Sequence, residues 1–215
     1  AAVYGFTVPV FGKGIIYDSP LPQRRQQMRH LGQSLKPSEL RRYPAIIAKE
    51  AHEFFAQKWG ESGQIDLLPS MAELTILTAS STLLGPEVRD QMFDEMSHLF
   101  HMLDKGLSPL SVFFPYAPTA AHAGRDKARK GMGELFGKII RARRAAKGAE
   151  KEGRIDLVQK LMDFKYKDGS CLKEDEIAGM MVATLFAGQY TSSITATWTV
   201  LFLLEASVCV CVSIR

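Results

Sequence analysis

The sequence predicts a mainly α-helical fold. Apolar residues recur at helical spacing in several segments, and the clearest face is formed by Met132, Leu135, Phe136, Ile139 and Ile140. Glycines and prolines separate these segments, where they would end helices. The composition, with 46% hydrophobic and 23% charged residues in a chain of 215, is that of an ordinary globular protein.

The N-terminal part begins with residues 1–22, where glycine, proline and aromatic residues are concentrated, so we expect a loop there. A first helix should start near Pro22, because proline suits the first helical turn, and it should end at Pro37. A second helix is predicted from Ile46 to Trp59, because its apolar residues have helical spacing.

The middle of the chain predicts two more helices. Ser70 and Glu73 have the spacing of a capping box, which predicts a third helix from there through Leu84. A fourth helix is predicted by the apolar stripe in residues 92–103. Residues 106–118 contain three prolines and several aromatic residues, so we expect a structured loop rather than a linker.

The C-terminal third contains a short helix near residues 156–164 and a turn at Asp168 and Gly169, which two short strands could flank. The last helix opens with acidic residues at 174–176, which favour a helix N-terminus. It then carries no charged residue from Ile177 to Leu204. A helix of about thirty residues would be roughly 45 Å long.

Charge and cysteine content argue against several classes of protein. The net charge is +4, and no face combines basic with aromatic residues, so nucleic-acid binding is not predicted. The three cysteines, Cys171, Cys209 and Cys211, match no zinc spacing, and their odd number argues against a disulfide framework. Basic residues cluster in 125–147, as either a solvated helix face or a docking surface for an acidic partner or an anionic membrane.

The long apolar helix has two interpretations. About twenty apolar residues are enough to span a membrane, so Ile177–Leu204 is a candidate transmembrane segment. The same segment contains several Gln, Ser and Thr residues between positions 189 and 199. Such a polar cluster suits a buried helix that lines a site.

Within this helix, the small residues Ala187 and Gly188 leave a notch, and the hydroxyl of Thr191 lies beside it at helical spacing. A threonine hydroxyl can also bond a carbonyl one turn earlier and loosen the helix locally. A notch with a hydroxyl could hold a small polar ligand such as dioxygen. The same residues also fit close packing against a neighbouring helix.

Four segments together resemble the sterol 14-alpha-demethylases, a cytochrome P-450 family, and plant and algal members most of all. The segment from Tyr4 to Asp18 is similar to the family's substrate-recognition loop, and Phe186 to Thr195 is similar to its oxygen-binding helix. Residues 103–116 resemble the connection between two lid helices, and residues 165–169 are also familiar from the family. The resemblance implies a partial cytochrome P-450 fold over residues 1–205, truncated at both ends, with a tail at 206–215 outside the family.

The resemblance also implies roles for individual residues. Residues that would contact haem, through its propionates or its face, are Tyr4, Tyr17, Arg25, Ala187 and Gly188. Thr191 would bond dioxygen and help deliver protons, with Tyr190 beside it. The sterol pocket would be lined by Phe6, Val10, Phe11, Leu107, Val112, Ala183 and Phe186.

Three departures from the family pattern bear on these roles. Tyr190 stands where the family carries His, and the family's Glu-x-x-Arg pair is absent after the oxygen helix. The family's haem loop with its cysteine is also absent, so we expect no iron ligand from this chain. We therefore expect haem, and the parent activity, in the full-length protein only.

The implied activity is removal of the 14-alpha-methyl group of a sterol precursor. Phe6 is the plant-type residue at a position that would touch the sterol near carbon 4, which favours an obtusifoliol-like substrate. Partners would be dioxygen and NADPH-cytochrome P-450 reductase, at the endoplasmic reticulum membrane, to which an N-terminal anchor not visible in this chain would attach the enzyme. The alternative is a non-catalytic helical fragment or interaction module.

Overall fold

A computed structural model of the chain describes residues 2–60, 63–146 and 156–213. In these ranges the chain is mainly helical, as predicted, and β-pairing is limited to one antiparallel bridge between Lys165 and Cys171. Residues 214 and 215 of the expected tail, and Lys147 at the end of the basic stretch, lie outside the described residues. The helices are α1 Val8–Phe11, α2 Leu21–Ser34, α3 Pro37–Leu40, α4 Tyr43–Phe54, α5 Leu67–Ala79, α6 Pro86–Gln91, α7 Phe93–Lys105, α8 Pro109–Phe113, α9 Ala120–Ala145, α10 Leu157–Asp163 and α11 Glu174–Ser213.

The predicted N-terminal loop is wrong in part, because short helical turns occupy much of it. A 3-10 turn spans Ala2–Thr7, α1 follows it directly, and a second 3-10 turn spans Ile16–Asp18. These turns bury Val10 and Ile15 almost completely. Helical turns satisfy the backbone hydrogen bonds of a segment that enters the core, which an open loop would leave unpaired.

The capping box predicted for the third helix is also wrong. Helix α5 already begins at Leu67, three residues before Ser70. The Ser70 hydroxyl instead accepts a hydrogen bond from the Trp59 indole at 2.7 Å, and Glu73 pairs with Lys58 at 3.2 Å. Both residues therefore join α5 to the end of the preceding helix.

Helices α4 and α5 each continue into a π-helical turn, at Phe55–Trp59 and Ser80–Leu84. In the second turn, Ser80 and Thr82 donate hydrogen bonds to carbonyls three and four residues earlier, at 2.7 Å each. Hydroxyls that compete for backbone carbonyls in this way loosen the regular helical pattern. The chain then leaves the helix at Gly85.

The core is built around the first half of α11. Ile177, Met180, Met181 and Val182 are fully buried, and α11 packs there against α5 and α9. The second half is different, because large apolar side chains from Trp198 to 204 are exposed. In the described residues, the segment that is long and apolar enough to cross a membrane is Leu67–Leu84, a third of it buried. The segment Ile177–Leu204, for which a membrane span was one of two interpretations, is not such a segment.

The basic stretch of α9 is only partly a solvated face. Lys127, Lys130 and Lys138 are exposed, whereas Arg125 and Arg143 are 1% and 4% exposed. Arg125 donates to the carbonyl of Pro115 at 2.8 Å and so ties the start of the loop after α8 to α9. Periodicity alone does not separate such buried arginines from solvated lysines.

A partly buried ion pair joins α4 to α6. The Arg89 guanidinium donates to both carboxylate oxygens of Glu50 at 2.9 to 3.0 Å, and the Ser81 hydroxyl donates to the same carboxylate. Burial alone would raise the pKa of Glu50, but the hydrogen bonds from Arg89 and Ser81 and the Arg89 charge outweigh burial and lower it.

Glu50→Gln should therefore lower the free energy of unfolding at neutral pH by about 2 kcal/mol, the value of hydrogen bonds to a charged group. Because the folded-state pKa is lowered, this stabilisation is present above the unfolded pKa of about 4.3 and is lost as pH falls through the folded value. Urea denaturation of both proteins at pH 7 and at acidic pH measures the difference. The control is Glu53→Gln, whose exposed side chain should give almost no change.

Candidate functional site

An apolar pocket of about 580 Å³ lies between α2 and α11. The α1 segment and the Ile16–Asp18 turn close one side of it, and α11 forms the opposite wall. Its lining is almost entirely apolar: Phe11, Ile16, Tyr17, Met28, Leu31, Gly32, Leu35, Ala183, Thr184, Phe186 and Ala187. Pockets of this size and character bind small apolar ligands.

The close approach of α1 to α11 depends on Gly179. A Cβ atom added at Gly179 would lie 1.9 Å from the carbonyl oxygen of Phe11, so only glycine allows this contact. The same carbonyl accepts a hydrogen bond from Arg129 at 3.2 Å, and Arg129 also binds the Asp175 carboxylate at 2.8 Å. Phe11 is thus held against α11 from two directions.

Beside the pocket, α11 has the predicted notch. Ala187 and Gly188 are exposed, and a methyl group added at Gly188 would meet no atom within 4 Å. The Thr191 hydroxyl donates to the carbonyls of Ala187 and Gly188, at 3.0 and 3.2 Å. The local prediction of a threonine bonded one turn back is confirmed, and the notch faces open space rather than a packed helix.

The residues predicted to contact haem propionates are only partly brought to the pocket. The rings of Tyr4 and Tyr17 stack with their centroids 4.0 Å apart, and Tyr17 lines the pocket. Arg25 is exposed, whereas its neighbour Arg24 donates to the carbonyls of Ile16 and Tyr17 at 2.7 and 2.9 Å. Arg24 therefore fixes the turn, and Arg25 projects from α2 toward solvent.

The predicted sterol-pocket residues divide into three groups. Phe11, Ala183 and Phe186 line the pocket. The rings of Phe11 and Phe186 meet edge to face, with their centroids 5.9 Å apart. Val10 does not line it, because it is fully buried in the core beneath. The remaining residues are outside this lining: Phe6 in the first turn, Leu107, and Val112, which is 50% exposed on α8.

Sequence reasoning missed the wall that α2 contributes. The sequence predicts a helix between Pro22 and Pro37, but it assigns no role in the site to Met28, Leu31 and Leu35 within that helix. Their spacing of three and four places them on one face of α2, and that face lines the pocket. An apolar stripe on an otherwise polar helix was the available signal, but its partner could not be read from the sequence.

The Tyr190 side chain forms its hydrogen bond with helix α7 rather than with Thr191. Its hydroxyl donates to the Asp104 carboxylate near the end of α7 at 2.6 Å. This bond to Asp104, together with burial and the negative charge of Asp104, raises the pKa of Tyr190 to about 12. The bond fastens α7 to α11 across the start of the loop that leads to α8.

Asp104→Asn should return the pKa of Tyr190 toward its ordinary value of about 10, because the charged acceptor that favours the neutral phenol is removed. The measurement is an ultraviolet titration of tyrosinate, in which each protein is compared with its Tyr190→Phe counterpart to isolate one phenol among six tyrosines. Asp94→Asn, an exposed position on the same helix, is the control and should leave the titration unchanged. An unaltered pKa in Asp104→Asn would contradict the assigned hydrogen bond.

Comparison with known proteins identifies relatives of this chain. The chain is 47% identical over 203 residues to obtusifoliol 14-alpha demethylase of Sorghum bicolor, covering 94% of this chain and 40% of that protein. It is 46% identical to sterol 14-demethylase of Arabidopsis thaliana, with coverage of 94% and 41%. It is 41% identical to lanosterol 14-alpha demethylase of Rattus norvegicus, with coverage of 94% and 39%. The chain thus spans about two fifths of the length of these curated relatives.

The fold agrees with this likeness. The solved structure of retinoic acid-bound cyanobacterial CYP120A1 matches with a TM-score of 0.80 and 20% identity, over 94% of this chain and 44% of that one. The predicted partial cytochrome P-450 fold is therefore confirmed. The family model described as Cytochrome P450 matches residues 1–207. The chain belongs to the cytochrome P450 family.

Proposed function

We propose that the chain is part of a haem-dependent monooxygenase that removes the 14-alpha-methyl group of a sterol precursor. One observation carries this proposal: the apolar pocket borders an open notch at Ala187 and Gly188, with the Thr191 hydroxyl one turn away. The pocket suits a sterol, and the notch suits dioxygen. The likeness to plant and animal sterol 14-demethylases supports the same substrate class.

The residues present fit a haem group. The exposed surface at Ala187 and Gly188 has room for a flat ring, since a Cβ at Gly188 would enter open space. At the edge, the hydroxyls of Tyr4 and Tyr17 and the guanidinium of Arg25 would bind the propionates. When bound, haem supplies the activation of dioxygen. NADPH-cytochrome P-450 reductase would supply electrons, and the endoplasmic reticulum membrane is the proposed location.

The chain's own residues would prepare this chemistry. The Thr191 hydroxyl, now shared between two helix carbonyls, can rotate toward the notch and pass a proton there. Tyr190 could join the proton route only after its hydroxyl leaves Asp104. Phe11, Phe186 and Ala183 would exclude water from the apolar side of the site.

The test is a transplant into a complete enzyme. The 203 matched residues of this chain would replace the corresponding segment of the Sorghum bicolor obtusifoliol 14-alpha demethylase. Demethylation of obtusifoliol would then be measured with reductase and NADPH. We expect turnover, and a large loss of turnover with Thr191→Ala. A folded, haem-loaded chimera that leaves the 14-alpha-methyl group intact would contradict the proposal.

Phe6 is the proposed selector between sterols with one and two methyl groups at carbon 4. It lies outside the lining of the apolar pocket described above, and its contact with carbon 4 in the complete enzyme is what the family resemblance implies. In the chimera we expect preference for obtusifoliol over lanosterol, because a rigid ring fills the space that a second methyl group needs. Overpacking an apolar site costs about 1–3 kcal/mol, which corresponds to roughly 10- to 200-fold in specificity.

Competition between the two sterols measures this preference, and Phe6→Leu should reduce it. The control is Phe113→Leu, which makes the same change at a side chain 76% exposed to solvent. Equal use of both sterols by the Phe6 protein would show that the ring is only a wall residue.

A further inference from the structure

We propose that Gln27 is a positioning residue that holds Ile16 in a left-handed backbone conformation, so that the Ile16 side chain forms a wall of the ligand pocket. The proposal rests on the proposed function for the class of ligand, an apolar sterol. The positioning itself rests on the geometry of the turn. It adds a specificity-determining pair, Gln27 and Ile16, to the site.

Ile16 has a backbone conformation that its side chain disfavours. Its φ angle is 48°, and among the described residues it is the non-glycine residue with positive φ. A β-branched residue in this region is a genuine outlier, because its Cβ crowds the backbone carbonyl. Such strain persists where the surroundings determine the conformation, and it is often found at ligand sites.

Side chains hold the backbone of Ile16 on both sides. Its N–H donates to the Oε1 atom of Gln27 at 2.8 Å, and its carbonyl accepts from Arg24 Nε at 2.7 Å and from the Ser19 hydroxyl at 2.8 Å. Ordinary turns make such bonds between backbone groups. The Ser19 N–H also donates to the Ile16 carbonyl, at 3.4 Å, but α2 supplies two of the three side-chain partners, so the conformation of the turn depends on that helix.

Gln27 is itself fixed. Its side chain is 1% exposed, and its amide nitrogen donates to the carbonyl of Gly14 at 3.1 Å and to the Tyr166 hydroxyl at 2.7 Å. With both donor hydrogens bonded, the amide cannot rotate without breaking buried bonds. The acceptor oxygen therefore stays directed at Ile16.

The consequence for the pocket follows from the position of Ile16. Its side chain lines the pocket together with Tyr17, facing the apolar residues of α2 and α11. If Ile16 relaxed to negative φ, its side chain and the following tyrosine would leave this wall. The fit of a rigid apolar ligand would then be lost, although the core of the chain would remain.

The first measurement is the sign of the Ile16 φ angle, read by NMR from the one-bond Cα–Hα coupling in the full 215-residue chain. Gln27→Leu should switch φ to negative, and Gln27→Glu should keep it positive, since a carboxylate still accepts from the Ile16 N–H. The matched control is Gln26→Leu, because Gln26 bonds Lys167 and Pro22 but not Ile16. A positive φ in folded Gln27→Leu would overturn the proposal. If that protein does not fold, Gln27→Ala, which removes the same acceptor from the Ile16 N–H, provides the same test.

The second measurement is binding of dehydroergosterol, an intrinsically fluorescent sterol, to the same chain. Gln27→Leu should weaken binding about tenfold, the affinity equivalent of one positioning hydrogen bond. In an Ile16→Gly background, where positive φ carries no strain, the same substitution should change affinity much less. Equal effects in both backgrounds would overturn the positioning role. If the unsubstituted chain binds no sterol, the NMR result alone decides whether Gln27 positions Ile16, and turnover of the chimera decides the proposed function.

Discussion

Arg143→Gln should lower the free energy of unfolding by about 3–5 kcal/mol, because it removes the cation from a buried ion network. Arg143 donates to Asp156 at 2.6 and 2.9 Å and to Glu87 at 2.9 Å, and its side chain is 2% exposed. Burial alone would lower the pKa of Arg143, but the bonds and charges of Asp156 and Glu87 outweigh burial and raise it. Glutamine would leave two carboxylates around an uncharged amide.

The measurement is urea denaturation at pH 7, with Arg144→Gln as the control. Arg144 is the next residue along α9 and is exposed, so its substitution should change the free energy of unfolding by less than about 0.5 kcal/mol. Similar changes in the two proteins would show that the network contributes little to stability. The network joins α9 to the starts of α6 and α10, so its loss should also expose the ends of those helices.

This network illustrates what the sequence could not predict. The helix that contains Arg143 was predicted from the apolar face at 132–140, and the acidic start of the last helix was recognised from its charges. Both signals are local. The partners of Arg143 lie 13 and 56 residues away, and spacing within one helix carries no information about a charge on another. The sequence therefore allowed the basic stretch to be a solvated face or a docking surface, but it did not indicate a buried ion network.

The same limit applies to the candidate site. The notch and the Thr191 hydrogen bonds were predicted, because they depend on residues one turn apart. Val10 was expected in the pocket wall, but the helical turns of the N-terminal segment direct it into the core. Tyr190 was expected beside Thr191 as a proton carrier, and its hydrogen bond to Asp104 is a contact between distant helices. The involvement of Tyr190 in proton delivery stays a prediction.

Gly179→Ala should strongly destabilise the contact between α11 and α1. The added methyl group would lie 1.9 Å from the Phe11 carbonyl oxygen and 2.5 Å from the Ile15 side chain, which is far inside van der Waals contact. Because a backbone atom must move, we expect a loss near the upper end of the overpacking range, about 3 kcal/mol. The α1 segment should separate from α11, and dehydroergosterol binding should be lost with it.

Gly188→Ala on the same helix is the matched control, and it should act in the opposite direction on stability. No atom lies within 4 Å of the added methyl group, and alanine favours a helix interior over glycine by about 1 kcal/mol. We therefore expect a more stable chain, measured by urea denaturation, in which the methyl group occupies the notch beside Thr191. Equal losses of stability in the two proteins would mean that both glycines serve helix packing. A stable Gly188→Ala protein beside a destabilised Gly179→Ala protein would assign Gly188 to the ligand side of α11 and Gly179 to the contact of α11 with α1.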